Sequence, residues 1–429
     1  MRLRSMLLSR DAVASILIVL LWCRAVGSLT VLSLTADKTF VAVGQEEVTS
    51  KAATAVSQGF FALAAALCLM IVVFRVNDTT RVGLWRIGAV LAPWLWLLVR
   101  DAYSGQARPD SALYVLVVLA LAALRPSVRT LRTIAVLVLI TAVVAMLLGL
   151  LLPSAGILRD AGGEARVSDK ETIPGLGLLQ GMFTSENNLA QYLALGAASI
   201  LTLPRWWLRL PGLLVVAVAV YWSSSRGAMT ALAASLIVAL LLWVLRDGVS
   251  PAAARVATRA AVTVAVAIMV VLPLLGWDDD AFTKRGNIWN GSLHEWGRRA
   301  PWFGFGSGWY REIAGTETSP FHGGAFTGHN QLVHLLATGG LVLAVLAVTS
   351  LLAQGAVVTR VGHPAFLAGT TLLVSVAVSG FLEVPLGYLD RSMFWTVALV
   401  PMTIVFFARV DRSRAPGFAA VSHRERTWA

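Results

Sequence analysis

Charge is what this sequence has least of. Only 14% of its 429 residues are Asp, Glu, Lys or Arg, and 57% are hydrophobic, whereas an ordinary soluble domain carries roughly 25% charged residues. A chain with that ratio has too few polar groups to cover a water-facing surface, which excludes a soluble globular protein. Cysteine is nearly missing as well. Cys23 and Cys68 both fall inside apolar runs, which argues against a disulfide framework and leaves them as small packing residues. No low-complexity tract and no internal repeat stands out, and neither terminal tail has the length of a separate domain.

What is present is a succession of apolar runs, many close to the ~20 residues that cross a ~30 Å hydrocarbon core. They fall at 12–34, 56–74, 87–99, 111–124, 133–152, 187–203, 211–224, 227–245, 260–277, 329–353, 365–382 and 392–408. The predicted fold class is therefore an all-α polytopic membrane protein of about 12 transmembrane helices, with residues 1–429 as a single transmembrane domain. Basic residues precede the first run as in a signal peptide. No small-residue cleavage site follows it, so an uncleaved first helix is expected.

The net charge of +12 invites a nucleic-acid partner until the charges are located. With the N-terminus in the cytoplasm and each run reversing the side, 20 basic and 5 acidic residues fall inside, against 14 basic and 18 acidic outside. Arg24 lies within the first run. This asymmetry is the positive-inside rule. It predicts both termini cytoplasmic, 409–429 as a basic cytoplasmic tail, and anionic lipid rather than nucleic acid as the partner of the positive charge.

Three outer loops then exceed turn length, at about 35–55, 153–186 and 278–328. The last is rich in Trp, Gly and Arg and is expected to be partly helical at the membrane surface, where tryptophan is favoured. The polar residues with chemical potential gather on this outer side. Arg226 stands in Ser223-Ser224-Ser225-Arg226-Gly227. An arginine there costs about 2.5–3.5 kcal/mol near the membrane core and so faces a partner or a wet cavity; a snorkelling helix-end arginine is the plainer reading. The neighbouring hydroxyls suggest a polar turn suited to an anion.

Lys284-Arg285-Gly286-Asn287-Ile288-Trp289 follows, then Pro301-Trp302-Phe303-Gly304-Phe305-Gly306-Ser307-Gly308. These glycines lack the strand-to-helix context of a nucleotide site. Gly328-His329-Asn330-Gln331 opens the tenth run. A helix start favours neutral imidazole over imidazolium, so His329 is placed to accept a proton from a hydroxyl at neutral pH; the alternative is a cap or interface residue. In Phe183-Thr184-Ser185-Glu186-Asn187-Asn188 the asparagines either cap a helix or contact a sugar or phosphate, and both readings stand.

Taken in order, Phe-Thr-Ser-Glu-Asn-Asn, Ser-Ser-Ser-Arg-Gly, Arg-x-x-x-Trp with Pro-x-x-Gly-x-Gly-x-Gly, and His-Asn followed by Gly339-Gly340 resemble the O-antigen ligase and O-antigen polymerase family of membrane glycosyltransferases. The likeness spans about 181–340. It implies transfer of a glycan from a polyprenyl-pyrophosphate carrier to a glycan, lipid or protein acceptor hydroxyl, on the outer face of the cytoplasmic membrane. It also implies an inverting reaction that uses no metal or other cofactor. By motif position, Arg226 and Arg285 would hold the pyrophosphate and His329 would activate the acceptor, with Asn187, Asn330 and Trp289 contributing to substrate binding. The sequence departs from the family pattern at Glu186. The shared motifs concern the donor, so polymerase and ligase are not separated.

Other features have plainer readings. Asp278-Asp279-Asp280 superficially supplies the Asp-x-Asp of metal-dependent transferases and is read as a solvated helix end. Arg24 is read as snorkelling or paired with a polar neighbour or a lipid phosphate. His322, Glu383 and Arg391 are outer-side candidates for the acceptor site. A transporter or flippase of lipid-linked saccharide is the competing function class; its usual inverted repeats and broken mid-membrane helices are not visible in the sequence.

Overall fold

The structure is a computed structural model that describes residues 9–36, 50–75, 83–107, 111–159, 170–248, 250–314, 316, 319–321, 325–360, 365–389 and 391–408. His322, the tail 409–429 and most of the first loop lie outside the described residues. The chain is helical, and among the described residues the only extended pairing is an isolated antiparallel bridge between Ile157 and Leu179.

The helices are α1 (Arg10–Thr35), α2 (Lys51–Phe74), α3 (Leu84–Tyr103), α4 (Ala112–Leu124), α5 (Leu131–Leu151), α6 (Glu186–Ile200) and α7 (Trp206–Trp222). After them come α8 (Arg226–Gly248), α9 (Pro251–Val271), α10 (Ala281–Arg299), α11 (Gln331–Val358), α12 (Ala365–Ser379) and α13 (Leu399–Phe407). A helix overlaps each of the twelve predicted runs. Six of them, α1, α2, α5, α8, α9 and α11, are long and apolar enough to cross a membrane, and α4, α7 and α12 are shorter apolar helices.

The outward faces identify the solvent. Leu63, Leu69 and Val73 on α2, Leu147 and Leu150 on α5, and Ile237 and Leu240 on α8 are exposed. Such helices are apolar on the outside because hydrocarbon surrounds them. The centre is α6, nearly all of whose residues are buried and which packs against α5, α7, α8 and α12. Ser185 starts it by accepting the Asn188 amide at 3.2 Å, the usual service of an N-cap hydroxyl.

Two irregularities shape the functional end. The stretch from Gly380 to Ala398 is largely non-helical yet mostly buried, the condition under which irregular backbone is tolerated in a membrane protein. The second is a break in α11 at Gly340 (φ 69°, ψ −169°). The break frees carbonyls, and the glycine-rich loop satisfies them: Phe305 donates to Ala337 O at 2.7 Å and Gly306 to Thr338 O at 2.8 Å. In return Leu341 donates to Pro301 O at 2.9 Å and Val342 to Trp302 O at 3.3 Å. The backbones approach so closely that a Cβ on Gly304 would lie 2.5 Å from Gly339 N, and one on Gly340 2.2 Å from Trp302 O. From α3, Asp101 accepts both the backbone N–H (2.9 Å) and hydroxyl (2.5 Å) of Ser307, and Arg100 donates to Gly304 O at 2.9 Å. The glycine loop is a backbone lock on α11.

Candidate functional site

The site is assembled from the starts of α8, α10 and α11 and from the non-helical stretch after α12. Before Arg285, three consecutive non-glycine residues, Phe282, Thr283 and Lys284, have φ of 52°, 64° and 67°. Each such conformation costs about 1–2 kcal/mol, so surrounding contacts must impose it. They come from the aspartate run: Ala281 donates to Asp278 O at 2.9 Å, Lys284 to Asp280 O at 3.3 Å and Asn287 to Asp279 O at 3.1 Å. Asn290 donates to the Asp279 carboxylate at 3.1 Å. Gly286 is required here, since a Cβ would stand 2.0 Å from Asp278 O. Asp278–Asp280 thus anchors the turn that presents Arg285. Among the described residues no three His, Cys, Asp or Glu side chains are grouped as a metal site.

Arg285 donates to Glu383 Oε1 at 2.5 Å, with 20% and 11% of the two side chains exposed. The other oxygen of Glu383 lies 3.6 Å from His329 Nδ1, just beyond ordinary hydrogen-bond reach. Burial alone would raise the Glu383 carboxyl. His329, Arg285 and Arg391 together outweigh it and bring the group down from 4.5 to about 2. Glu383 is thus a permanent anion at neutral pH, joining an arginine to an imidazole. With Nδ1 turned to the carboxylate, Nε2 is the nitrogen left for a substrate proton, and the His329 side chain is 32% exposed.

His329 is itself held in the left-handed region (φ 46°), and the next two residues explain how. Asn330 caps α11 by accepting from Val333 N at 3.1 Å, and its amide donates to Phe381 O at 3.0 Å and Met269 O at 3.3 Å. Gln331 exchanges two bonds with Leu386, at 3.1 and 2.8 Å. Trp289, fully buried, donates from Nε1 to His329 O at 3.3 Å. Asn330 and Trp289, expected from sequence at the substrate, have these polar atoms engaged in setting the His329 backbone.

Arg226 begins α8 with an exposed side chain, and among the described residues no ion pair or side-chain hydrogen bond engages its guanidinium. Its neighbour Gly227 faces Leu382, whose Cβ would lie 3.9 Å from an added Cβ, so this turn adjoins Glu383. The serines before it differ from the expectation of an anion-binding turn. Ser223 donates back to Ala219 O at 2.9 Å, and Ser224 (φ 58°) accepts from Thr172 N at 3.0 Å. Those two hydroxyls stitch the turn together instead.

At the α6 start, Asn187 donates to Glu186 at 2.9 Å. Asn188 accepts from Arg391 at 3.1 Å, so the second asparagine is the one joined to a cation. Neither caps the helix; Ser185 does. The sequence also left His334 unremarked. It is buried one turn into α11 and stacked on Tyr310 at 5.4 Å, whose hydroxyl donates to Ser292 Oγ at 3.0 Å.

A helical bundle with apolar outer faces is a membrane protein, and this one carries a cation–carboxylate–imidazole group at the ends of its helices. Residues 211–348 match the Wzy_C family, described as O-Antigen ligase, so over that stretch the chain is similar to this family. The match includes Arg226, Arg285 and His329 and stops before Glu383. None of the curated proteins compared matches the chain.

Proposed function

We propose that the protein is a glycosyltransferase that moves a glycan from a polyprenyl-pyrophosphate carrier to an acceptor hydroxyl. It does so on the outer face of the cytoplasmic membrane, within a bundle of twelve spans whose termini are cytoplasmic. The observation that carries the reading is Glu383 bridging Arg285 and His329 beside the Arg226 turn, largely within the family-matched region.

The steps follow from these groups. The pyrophosphate of the donor sits against Arg226 and Arg285, which can bind phosphate oxygens in bidentate fashion. His329 Nε2 takes the proton of the acceptor hydroxyl as its oxygen bonds to the anomeric carbon. On the opposite face the bond from that carbon to the pyrophosphate oxygen breaks, and the configuration inverts. The leaving diphosphate keeps the electron pair, and its charge is met by the two guanidiniums. Glu383 holds Nδ1 and stabilises the imidazolium that forms, a positioning role. The arginines supply the charge neutralisation for which other transferases use a metal, and the reaction proposed is metal-independent.

Reconstitution with a polyprenyl-pyrophosphate oligosaccharide and a candidate acceptor tests this. Release of carrier pyrophosphate with a longer glycan on a carrier identifies a polymerase; glycan on a different acceptor identifies a ligase. Translocation of the donor with no new glycosidic bond overturns the proposal, and activity lost to a chelator and restored by metal overturns metal independence.

A further inference from the structure

The end of the bundle away from the group just described carries a second polar cluster. Helix α6 starts beside Arg391, which donates to Asn188, and at 1.5 Å per residue it ends about 21 Å further on, at Ile200. In the turn after it, Thr202 O accepts from Arg132 Nε at 3.0 Å and Leu203 O accepts from Arg209 Nε at 2.7 Å. Consecutive carbonyls thus bring together two guanidiniums from different helices, Arg132 in the first turn of α5 and Arg209 in the first turn of α7. Burial, and after it the charge of Arg132, lowers the pKa of Arg209, which precedes the apolar run 211–224.

Capping the end of α6 accounts for the two Nε bonds, because cations are favoured at a helix C-terminus. It does not account for the rest. Each carbonyl takes only Nε, so the Nη1–Nη2 edge of each guanidinium is left over, and among the described residues no carboxylate or carbonyl meets it. Asp11, at the same end, is taken up by Ser127, accepting from its backbone N–H at 2.7 Å and its hydroxyl at 2.5 Å. Two like charges held side by side repel, and an anion shared between them turns that repulsion into attraction. The surroundings are those of a membrane surface. Trp206 and Trp207 are 69% and 50% exposed, and Leu208 and Leu210 beside them are exposed as well. Arg205 lies over the Trp207 ring, 4.7 Å from its centre. Tryptophan collects at the level of lipid headgroups, which puts the paired arginines at the depth of lipid phosphates.

We propose that Arg132 and Arg209 clamp the phosphate of an anionic phospholipid. Two guanidinium edges match phosphate oxygens in bidentate fashion, and α5 and α7 both begin here, where helix N-termini favour an anion. The exposed tryptophans and leucines suit the glycerol backbone and acyl chains attached to that phosphate. On the topology proposed above, the lipid belongs to the cytoplasmic leaflet. The site goes beyond the transferase reading and does not depend on it, because it is defined by binding at the opposite end of the bundle.

Native mass spectrometry of the purified full chain tests it, titrated separately with phosphatidylglycerol and zwitterionic phosphatidylcholine. Arg132→Gln and Arg209→Gln should each weaken one bound phosphatidylglycerol at least tenfold and leave phosphatidylcholine unchanged. Arg129→Gln, which removes an exposed charge from the same end of the bundle, should leave both lipids unchanged. A loss with Arg129→Gln equal to that of the clamp variants would show diffuse attraction to a basic surface and overturn the proposal, as would parental binding in Arg132→Gln and Arg209→Gln. Displacement of the lipid by an equal concentration of glycerol phosphate would overturn a lipid as the occupant. Should the glutamine variants fail to fold, Arg132→Lys and Arg209→Lys decide. They keep the charge and lose the planar fork, so binding at least threefold weaker is expected, and parental binding overturns the proposal.

Discussion

Replacing Glu383 with glutamine removes one charge and almost no volume. The carboxylate faces His329 Nδ1 at 3.6 Å, and two unit charges at that range are worth about 4 kcal/mol at an effective dielectric of 20. The imidazole is 32% exposed, so water screens part of that, and about 2–3 kcal/mol is the reasonable share. If His329 becomes imidazolium in the transition state, the loss falls on kcat, roughly 30- to 150-fold. If the donor pyrophosphate binds Arg285 as proposed, Glu383, which holds that guanidinium at 2.5 Å, competes with it. Removing the competitor should leave the donor KM unchanged or lower it. The assay is initial-rate transfer in proteoliposomes with donor varied at saturating acceptor. A kcat within threefold of the parent, or a raised KM at unchanged kcat, would refute the positioning role.

The two arginines should part company in stability though not in activity. Arg226→Ala and Arg285→Ala are each expected to lower turnover at least 100-fold. Arg285→Ala also strands a buried carboxylate, costing about 3–5 kcal/mol, whereas exposed Arg226 should shift stability by less than about 0.5 kcal/mol; melting in detergent separates them, and equal melting points would contradict the pairing. His329→Ala should abolish turnover while the inserted protein still binds donor, so full activity removes it as the base. Gly340→Ala should destabilise the protein by more than about 2 kcal/mol, because its Cβ would lie 2.2 Å from Trp302 O at φ 69°; a melting point equal to the parent's would remove the backbone lock. The Glu383 carboxyl is depressed from 4.5 to about 2 in the folded protein, so its stabilisation is complete above about pH 4.5 and lost as pH falls toward 2. Glu383→Gln should flatten the melting curve over that interval, and an unchanged fall would show that another group causes it.

What could be read from the sequence followed from single, strong physical constraints. Hydrocarbon solvent dictates long apolar helices, so their places were legible, although six of the twelve are not long and apolar enough to be counted as spans from the structure. Cations in an apolar chain are conspicuous, and Arg226 and Arg285 stood out for that reason. What stayed hidden depends on which backbone meets which. Gly304 and Gly340 are 36 positions apart, and nothing local in either motif announces that one fills the space a Cβ would need beside the other. From sequence, Gly-x-Gly-x-Gly showed only that it lacks the context of a nucleotide site, and flexibility is all that glycine promises a lone chain. Packed against a broken helix, the same residues are there for closeness.

Glu383 shows the other kind of concealment. The isolated acid in Gly380-Phe381-Leu382-Glu383-Val384 was visible as an outer-side residue, and a lone acid in an apolar stretch is itself a functional signal. Its partners lie 98 and 54 positions away, on the starts of two different helices. Both oxygens are turned to a cation or a potential cation, one at Arg285 and one at His329. This matters for the choice between a pore and an enzyme. A conduction path needs sites that release what they bind, whereas here Glu383 is committed to Arg285 and to the partly exposed imidazole of His329. On the proposed reading, a carboxylate spent in that way prepares a proton transfer, and a proton transfer beside two arginines that hold phosphate is of use where a bond to phosphate is broken.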